Sequence, residues 1–196
     1  TALLESALRD LQGRGAVIVD DFEIRNLASH MAANNFCPRF RYDMYTYLKT
    51  LGENAPITDV MEVLTNHDYS AYIEDRLNYF GTRPVDKHPA AWASPCPDFA
   101  RHPGRQAFLA DVTQSMDDAA VDVIVYPSWT NPPAPLVSAI EDYRGDNSQL
   151  IAPATGLPAV SVPMGVSHGH LPAGLQILGR AYSEGLLLGI SFAYEQ

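Results

Sequence analysis

Few residue patterns in this sequence could do chemistry by themselves. His168 and His170 have the spacing of a metal-binding pair, but no further donor lies near them in the sequence, so no metal site is predicted. The adjacent acids at 20–21 and 117–118 are typical of solvated faces. Trp129 is a better candidate, because it follows the apolar run VDVIVYP and ligands of open α/β sheets gather beyond strand ends. Its ring could cover a substrate side chain or pack on its own loop.

Composition and motif content narrow the classes of function. Of the 196 residues, 46% are hydrophobic and 18% charged, which is enough apolar material for a sizeable core. The net charge of -10 disfavours nucleic acid and anionic membranes as partners. The sequence lacks GxGxxG, phosphate-loop and HExxH motifs, so we predict no cofactor. The two cysteines, Cys37 and Cys96, predict free thiols in a reducing compartment, the cytoplasm.

Hydrophobic periodicity predicts alternating helices and strands, and hence an α/β fold. Helices are expected over 2–12, over much of 23–80 (including 41–52, closed by Gly52), from 105 to 120 and after Ser183. A short helix that contains Pro153 and is closed by Gly156 is also expected. Strands are expected at 16–21, 121–127, 157–162 and 173–179, the last two as a hairpin with a connection of seven to ten residues. We predict one structural unit over 1–196, in which 82–104, with five prolines, is an irregular surface excursion.

Taken together, these segments resemble the amidase signature family. The resemblance is carried, in order, by VDVIVYPSWTNPPAP, GDNSQLIAPATGLPAVSVPMG and LPAGLQILGRAYSEGLLL. The upstream stretches LQGRGAVIVD and RYDMYTYLKTLGENAPITDVMEVL are similar to the family more loosely. The resemblance covers nearly all of the chain but only the downstream part of a family member. It implies a mixed, mostly parallel sheet with helices on both faces.

The resemblance also implies which residues could form a site. Family members use a serine nucleophile, a second serine in a cis peptide and a lysine, all in segments upstream of this chain, so we predict no catalytic residue here. The resemblance implies that Asp146 or Asn147 faces the substrate, where an acid would bind an amine; either could instead cap the following helix. Residues that match the family motif and are expected to shape the backbone are Gly156, Pro158, Pro163, Gly165, Gly174 and Gln176.

By this resemblance, the parent protein hydrolyses the C–N bond of a small carboxylic amide, and this chain alone is inactive. The predicted partners are the missing N-terminal catalytic half and the amide substrate, and a homodimer is also allowed. Two alternatives stay open: a fragment of an amidotransferase A subunit, or a non-catalytic scaffold or binding chain of the same fold. The start at Thr1 without methionine, and the end inside a helical pattern, lead us to expect a fragment.

Overall fold

The architecture was analysed in a computed structural model that describes residues 2–33, 37–139, 141–144 and 150–196. These residues form two compact units. An α/β unit contains the described residues before 34 and after 102, and a helical unit contains residues 37–102. The residues of 82–104, predicted as an excursion, are thus nearly all part of the helical unit. The membership of both units in one domain stays a prediction.

Eight α-helices and three strands are found among the described residues. The helices are α1 (Ala2–Gly13), α2 (Leu27–Ala33), α3 (Phe40–Thr50), α4 (Glu62–Asn66), α5 (Glu74–Gly81), α6 (Pro103–Asp118), α7 (Ile151–Thr155) and α8 (Glu184–Glu195). The strands are β1 (Val123–Pro127), β2 (Ala159–Ser167) and β3 (Leu171–Gly179). Short 3₁₀ turns at Pro89–Ala91 and Phe99–Arg101 break up the proline-rich segment. The helices predicted over 2–12, in 41–52 and from 105 are confirmed.

The three strands form one sheet in the order β1-β3-β2. β3 pairs antiparallel with both neighbours, and Ile124, Leu178 and Ala159 stand side by side across the sheet. The predicted hairpin of β2 and β3 is confirmed, but its connection, 168–170, is shorter than expected because both strands extend towards the turn. A short connection forces antiparallel pairing. The parallel neighbours expected for this family's sheet are therefore not among the described strands.

Alternation along the strands divides the side chains between the two faces of the sheet. On one face, which we call the α6 face, Ile124 and Leu178 pack with residues of α6 and α7, including Val112 and Met116. On the opposite face, the α8 face, Leu175 and Ile177 pack with α1 and α8. Helices thus cover both faces, as predicted. These two apolar layers bury the sheet and fix its register, because a slip by one residue would exchange the faces.

The helical unit is closed by a disulfide between Cys37 and Cys96, which corrects the prediction of free thiols. Cysteine spacing could not reveal the pairing, because the residues are 59 apart in sequence and only folding brings their Cα atoms within 5.7 Å. A second link is made by Arg41 on α3, whose guanidinium pairs with Asp59 at 2.8 Å and donates to the Arg83 carbonyl. Both links join the start of the unit to its later segments.

Two expectations for strands are wrong. Residues 16–20 have no regular secondary structure, and Val17 is exposed. A strand needs a neighbour for its backbone groups, and no described segment pairs with this one. Pro163, expected just beyond β2, lies inside that strand opposite Gly174, next to a bulge between Pro163 and Gly165. Proline is tolerated there because β2 is an edge strand of the described sheet, where one side of the backbone needs no ladder donor.

Candidate functional site

Polar side chains cross the sheet in one row near the carboxyl end of β1. In the strand register, Tyr126 of β1 stands opposite Gln176 of β3, which stands opposite Ser161 of β2. Directly opposed residues project to the same face, and Tyr126 packs against the apolar cluster of the α6 face. The row therefore lies on the α6 face, at the edge of its apolar layer. Ser161 is exposed, so the row is open at β2.

Ser128 extends this row beyond the end of β1. Its N–H donates to the Gly174 carbonyl at 2.8 Å, and its Oγ lies 3.2 Å from the Ser161 Oγ. A Cβ on Gly174 would lie 2.8 Å from the Ser128 Oγ, so only glycine leaves the hydroxyl in this position. Gly174, which the sequence marked as a backbone-shaping residue, makes room for a side chain. We define the polar strip as Tyr126, Ser128, Ser161 and Gln176.

Two atoms of the polar strip are buried without a hydrogen-bond partner among the described residues. They are the Tyr126 hydroxyl and the Gln176 Oε1. Burial raises the pKa of the Tyr126 hydroxyl, which therefore stays protonated and neutral over the whole physiological range. An unsatisfied buried polar atom costs about 1–3 kcal/mol. Native proteins rarely retain such groups without a role, so this pair marks the strip as a candidate binding surface.

The aromatic residue predicted from sequence lies one position after Ser128. Trp129 contacts Tyr143 edge-on, with 5.9 Å between ring centroids, and 42% of its surface is exposed. The partner ring holds one edge of the indole and leaves much of its surface free. Trp129 thus packs on a loop neighbour and still presents apolar surface, while its contact with a substrate stays a prediction. Asp146 and Asn147, the other predicted binding residues, lie outside the described residues.

The remaining motif residues shape the backbone around the sheet. Gly156 ends α7 in the left-handed conformation, with φ of 76°, and its N–H donates to the Ala152 carbonyl at 2.8 Å, as the sequence predicted for a helix-closing glycine. The Pro158 carbonyl accepts from the Gly179 N–H at 3.0 Å. Gly165, with φ of 129°, lies in β2 just after the bulge, in a conformation that side chains rarely adopt.

A second polar cluster joins α2 to α6 and contrasts with the strip. The His30 Nε2 lies 2.7 Å from the Asp111 Oδ2, and the His30 ring stacks on Phe108. The Asn26 amide also donates to Asp111, at 3.1 Å. The hydrogen bonds from His30 and then Asn26 lower the pKa of the Asp111 carboxyl. These three side chains are hydrogen-bonded to one another, so this cluster stabilises helix packing and is not a candidate site.

Sequence reasoning missed Tyr126, Ser128 and Ser161 and assigned Gln176 only a structural role. A signal was present, because Gln176 and Ser161 are polar residues inside otherwise apolar strands, LPAGLQILG and AVSVPMG. Period-two alternation would have placed each on one face of its strand. Pairing them with each other and with Tyr126 required the register of three strands, which the sequence does not contain.

Comparison with known proteins identifies the family. The sequence model of the Amidase family matches residues 1–188. The chain is 39% identical over 82 residues to the A subunit of the glutamyl-tRNA(Gln) amidotransferase from Brevibacillus brevis, covering 40% of this chain and 17% of that protein. It is 29% identical over 175 residues to the protein of the same name from Orientia tsutsugamushi, covering 87% of this chain and 34% of that protein.

Solved structures share the fold. All of this chain aligns with 39% of the peptide amidase from Stenotrophomonas maltophilia, with a TM-score of 0.68 and 22% sequence identity. The chain therefore spans well under half the length of each of these proteins. It belongs to the amidase signature family, and the α/β fold expected from the sequence motifs is confirmed.

Proposed function

We propose that this chain is the downstream part of an enzyme that hydrolyses a carboxylic amide. In that reaction water adds across the C–N bond, which breaks to give a carboxylate and ammonia or an amine. The Amidase match over residues 1–188 carries the proposal. The serine nucleophile, the cis serine and the lysine belong to the N-terminal catalytic half, and this chain contributes a wall of the substrate pocket. By itself it is inactive.

The exposed apolar surface of the α/β unit supports the proposed N-terminal half as a partner. Leu188 and Phe192 of α8 are exposed, as is Val17 in the segment without secondary structure. Large side chains of this kind are normally covered in a complete domain. A second copy of the chain would cover them equally well in a homodimer. The mass of the full-length protein in solution distinguishes one chain from two.

We propose that Trp129 contacts the substrate side chain. We also propose that Asp146 or Asn147 contacts a polar group of the substrate. In the full-length protein, Trp129→Ala should raise KM about fivefold for an amide with a large apolar side chain, because an aromatic contact contributes about 1 kcal/mol. Trp129→Phe keeps an aromatic face and serves as the control. An unchanged KM in both variants would mean that Trp129 only packs on Tyr143.

The direct test is release of ammonia from primary amides by the full-length protein. We expect turnover by the full-length protein and none by the 21.5 kDa chain alone. Turnover by the isolated chain would refute the assignment of the catalytic residues to the N-terminal half. Absence of turnover by the full-length protein on any carboxylic amide would favour a scaffold or binding chain.

A second function, that of an amidotransferase A subunit, is favoured by the names of the two sequence relatives. It predicts that glutamine is the amide hydrolysed, and that hydrolysis increases when partner proteins and a misacylated tRNA are added. The net charge of -10 counts against direct contact with tRNA, though not against a complex in which another protein binds it. Glutamine hydrolysis with and without those partners separates the two functions.

The compartment is a further proposal. Among the described residues, no helix has both the length and the apolar character needed to cross a bilayer. The cytoplasm was predicted from free thiols, whereas the Cys37–Cys96 disulfide favours an oxidising compartment, since disulfides rarely persist in the cytosol of ordinary cells. Alkylation of accessible thiols in intact cells, followed by mass analysis, distinguishes the two: modified cysteines support the cytoplasm, and a protected pair supports the oxidising compartment.

A further inference from the structure

We propose that the polar strip binds a second amide group of the substrate, next to the amide that is hydrolysed. This inference rests on the proposed amide hydrolysis and adds to it a substrate class: peptide-like amides, such as the primary amide of an N-acylated amino acid. Simple alkyl or aryl amides, which have only the scissile group, would bind without using the strip.

The hydrogen-bonding capacity of the strip matches a neutral amide. The Gln176 side chain has a carboxamide, and its Oε1 has no partner among the described residues. The Tyr126 hydroxyl, equally unpartnered, can donate and accept. A substrate amide offers one N–H and one C=O, which are the complementary pair. All four side chains of the strip are neutral, so a carboxylate or ammonium of a ligand would be left without a counter-charge.

The two serines make the strip accessible. Ser161 is exposed on the edge strand of the described sheet, and the Ser128 hydroxyl is held beside it by Gly174 and by the 3.2 Å contact between the two Oγ atoms. A ligand would therefore enter from the serines and reach the buried Gln176 and Tyr126 atoms after small side-chain rotations. The two serine hydroxyls are therefore the groups that meet the ligand first.

The size of the strip also fits a short peptide-like unit. Tyr126, Gln176 and Ser161 lie on three neighbouring strands, which are about 4.8 Å apart in a sheet, so the strip is about 10 Å wide. Consecutive Cα atoms in a peptide are about 3.8 Å apart, so two adjacent amide groups fit within this width. Trp129 directly follows Ser128, so an amino acid side chain between those amides would lie near the indole.

The test compares two substrates of the full-length protein, N-acetyl-leucinamide and 4-methylpentanamide, which differ by the acetylamino group alone. We expect a higher kcat/KM for N-acetyl-leucinamide. Gln176→Leu and Ser128→Ala should each lower that value about fivefold, mainly through KM, because each removes about one hydrogen bond. In the same variants, kcat/KM for 4-methylpentanamide should stay within about twofold of the wild-type value. Gln114→Leu, the same change at an exposed position of α6, should alter kcat/KM for neither substrate.

Two results would overturn the proposal. One is an equal loss for both substrates, which would mean that the strip packs against another part of the protein. The other is that the ratio of kcat/KM for N-acetyl-leucinamide to kcat/KM for 4-methylpentanamide stays at the wild-type value in both variants. If Gln176→Leu fails to fold, judged by its thermal transition, Ser128→Ala decides, since it removes one half-buried hydroxyl.

Binding measurements separate a failure of this inference from a failure of the proposed function. If the full-length protein hydrolyses neither amide, titration calorimetry with N-acetyl-leucinamide still tests the strip. Binding that weakens about fivefold in Gln176→Leu would support the strip while refuting the hydrolase, whereas binding equal to wild type would refute the strip.

Discussion

Replacing Gly179 by alanine tests how β3 packs against α8. Gly179 is the last residue of β3, and a Cβ at this position would overlap the Ser183 Oγ and lie 3.0 Å from the Leu187 Cδ2. Real Cβ atoms essentially never approach another atom as closely as this one would approach the Ser183 Oγ, so the hydroxyl must move, and Leu187 must shift by a few tenths of an ångström. Ser183 is the residue before α8, and Leu187 is a buried member of the apolar cluster on the α8 face.

The magnitude follows from what each side chain loses. When Ser183 rotates away, its hydroxyl gives up the hydrogen bond that it donates to the Arg180 carbonyl at 2.7 Å, a loss of about 1 kcal/mol. Leu187 is only 2% exposed, and displacing a packed core side chain costs about 1–3 kcal/mol. Removing a glycine from the unfolded chain returns about 0.5 kcal/mol. We expect Gly179→Ala to lower the free energy of unfolding by about 1.5–3.5 kcal/mol.

Urea unfolding followed by circular dichroism measures this change. Gly189→Ala is the matched control, because a Cβ there meets no atom within 4 Å and glycine inside a helix is unfavourable; it should stabilise α8 by about 0.5–1 kcal/mol. Adding Ser183→Ala to Gly179→Ala removes the closest clash and should recover part of the loss. If Gly179→Ala lowered stability by less than about 0.5 kcal/mol, the described packing of β3 on α8 would be wrong.

Two further predictions concern the helical unit. Cys37→Ser opens a loop of about 60 residues and should lower the free energy of unfolding by about 4 kcal/mol in the chain-entropy model. The free energies of unfolding of the oxidised and the reduced wild type, measured in urea, should differ by a similar amount. Equal urea midpoints for the two forms would argue against the disulfide with Cys96. Burial alone would raise the pKa of Asp59, but hydrogen bonds from Arg41 and the Met61 N–H lower it overall. The stabilisation by this ion pair is therefore present above the unfolded pKa of about 3.9 and is lost as pH falls further, through the lower folded pKa. Asp59→Asn should lower the free energy of unfolding by about 1–2 kcal/mol at pH 7 and make that free energy fall less steeply as the pH is lowered below about 4. A curve of free energy against pH that runs parallel to the wild-type curve would contradict the pairing of Asp59 with Arg41.

The sequence by itself determined the local elements and the family. The apolar run VDVIVYP and the period of QAFLADVTQSMDD predicted β1 and α6, because both patterns are written in consecutive residues. Gly156 predicted the end of α7, since its left-handed conformation is one that glycine adopts without cost. The ordered motifs of the C-terminal half predicted the amidase signature family, which the family match confirms.

The tertiary structure alone decided which distant residues meet. Cys37 and Cys96 pair across 59 residues, and residues 16–20 stay outside the sheet although their composition suits a strand. Gln176 joins Tyr126 and Ser161 in one row only through the register of three strands. Local propensity is fixed by neighbouring side chains, whereas pairing and register depend on burying two apolar faces at once. The candidate site is built from those long-range pairings, so it emerged only with the fold.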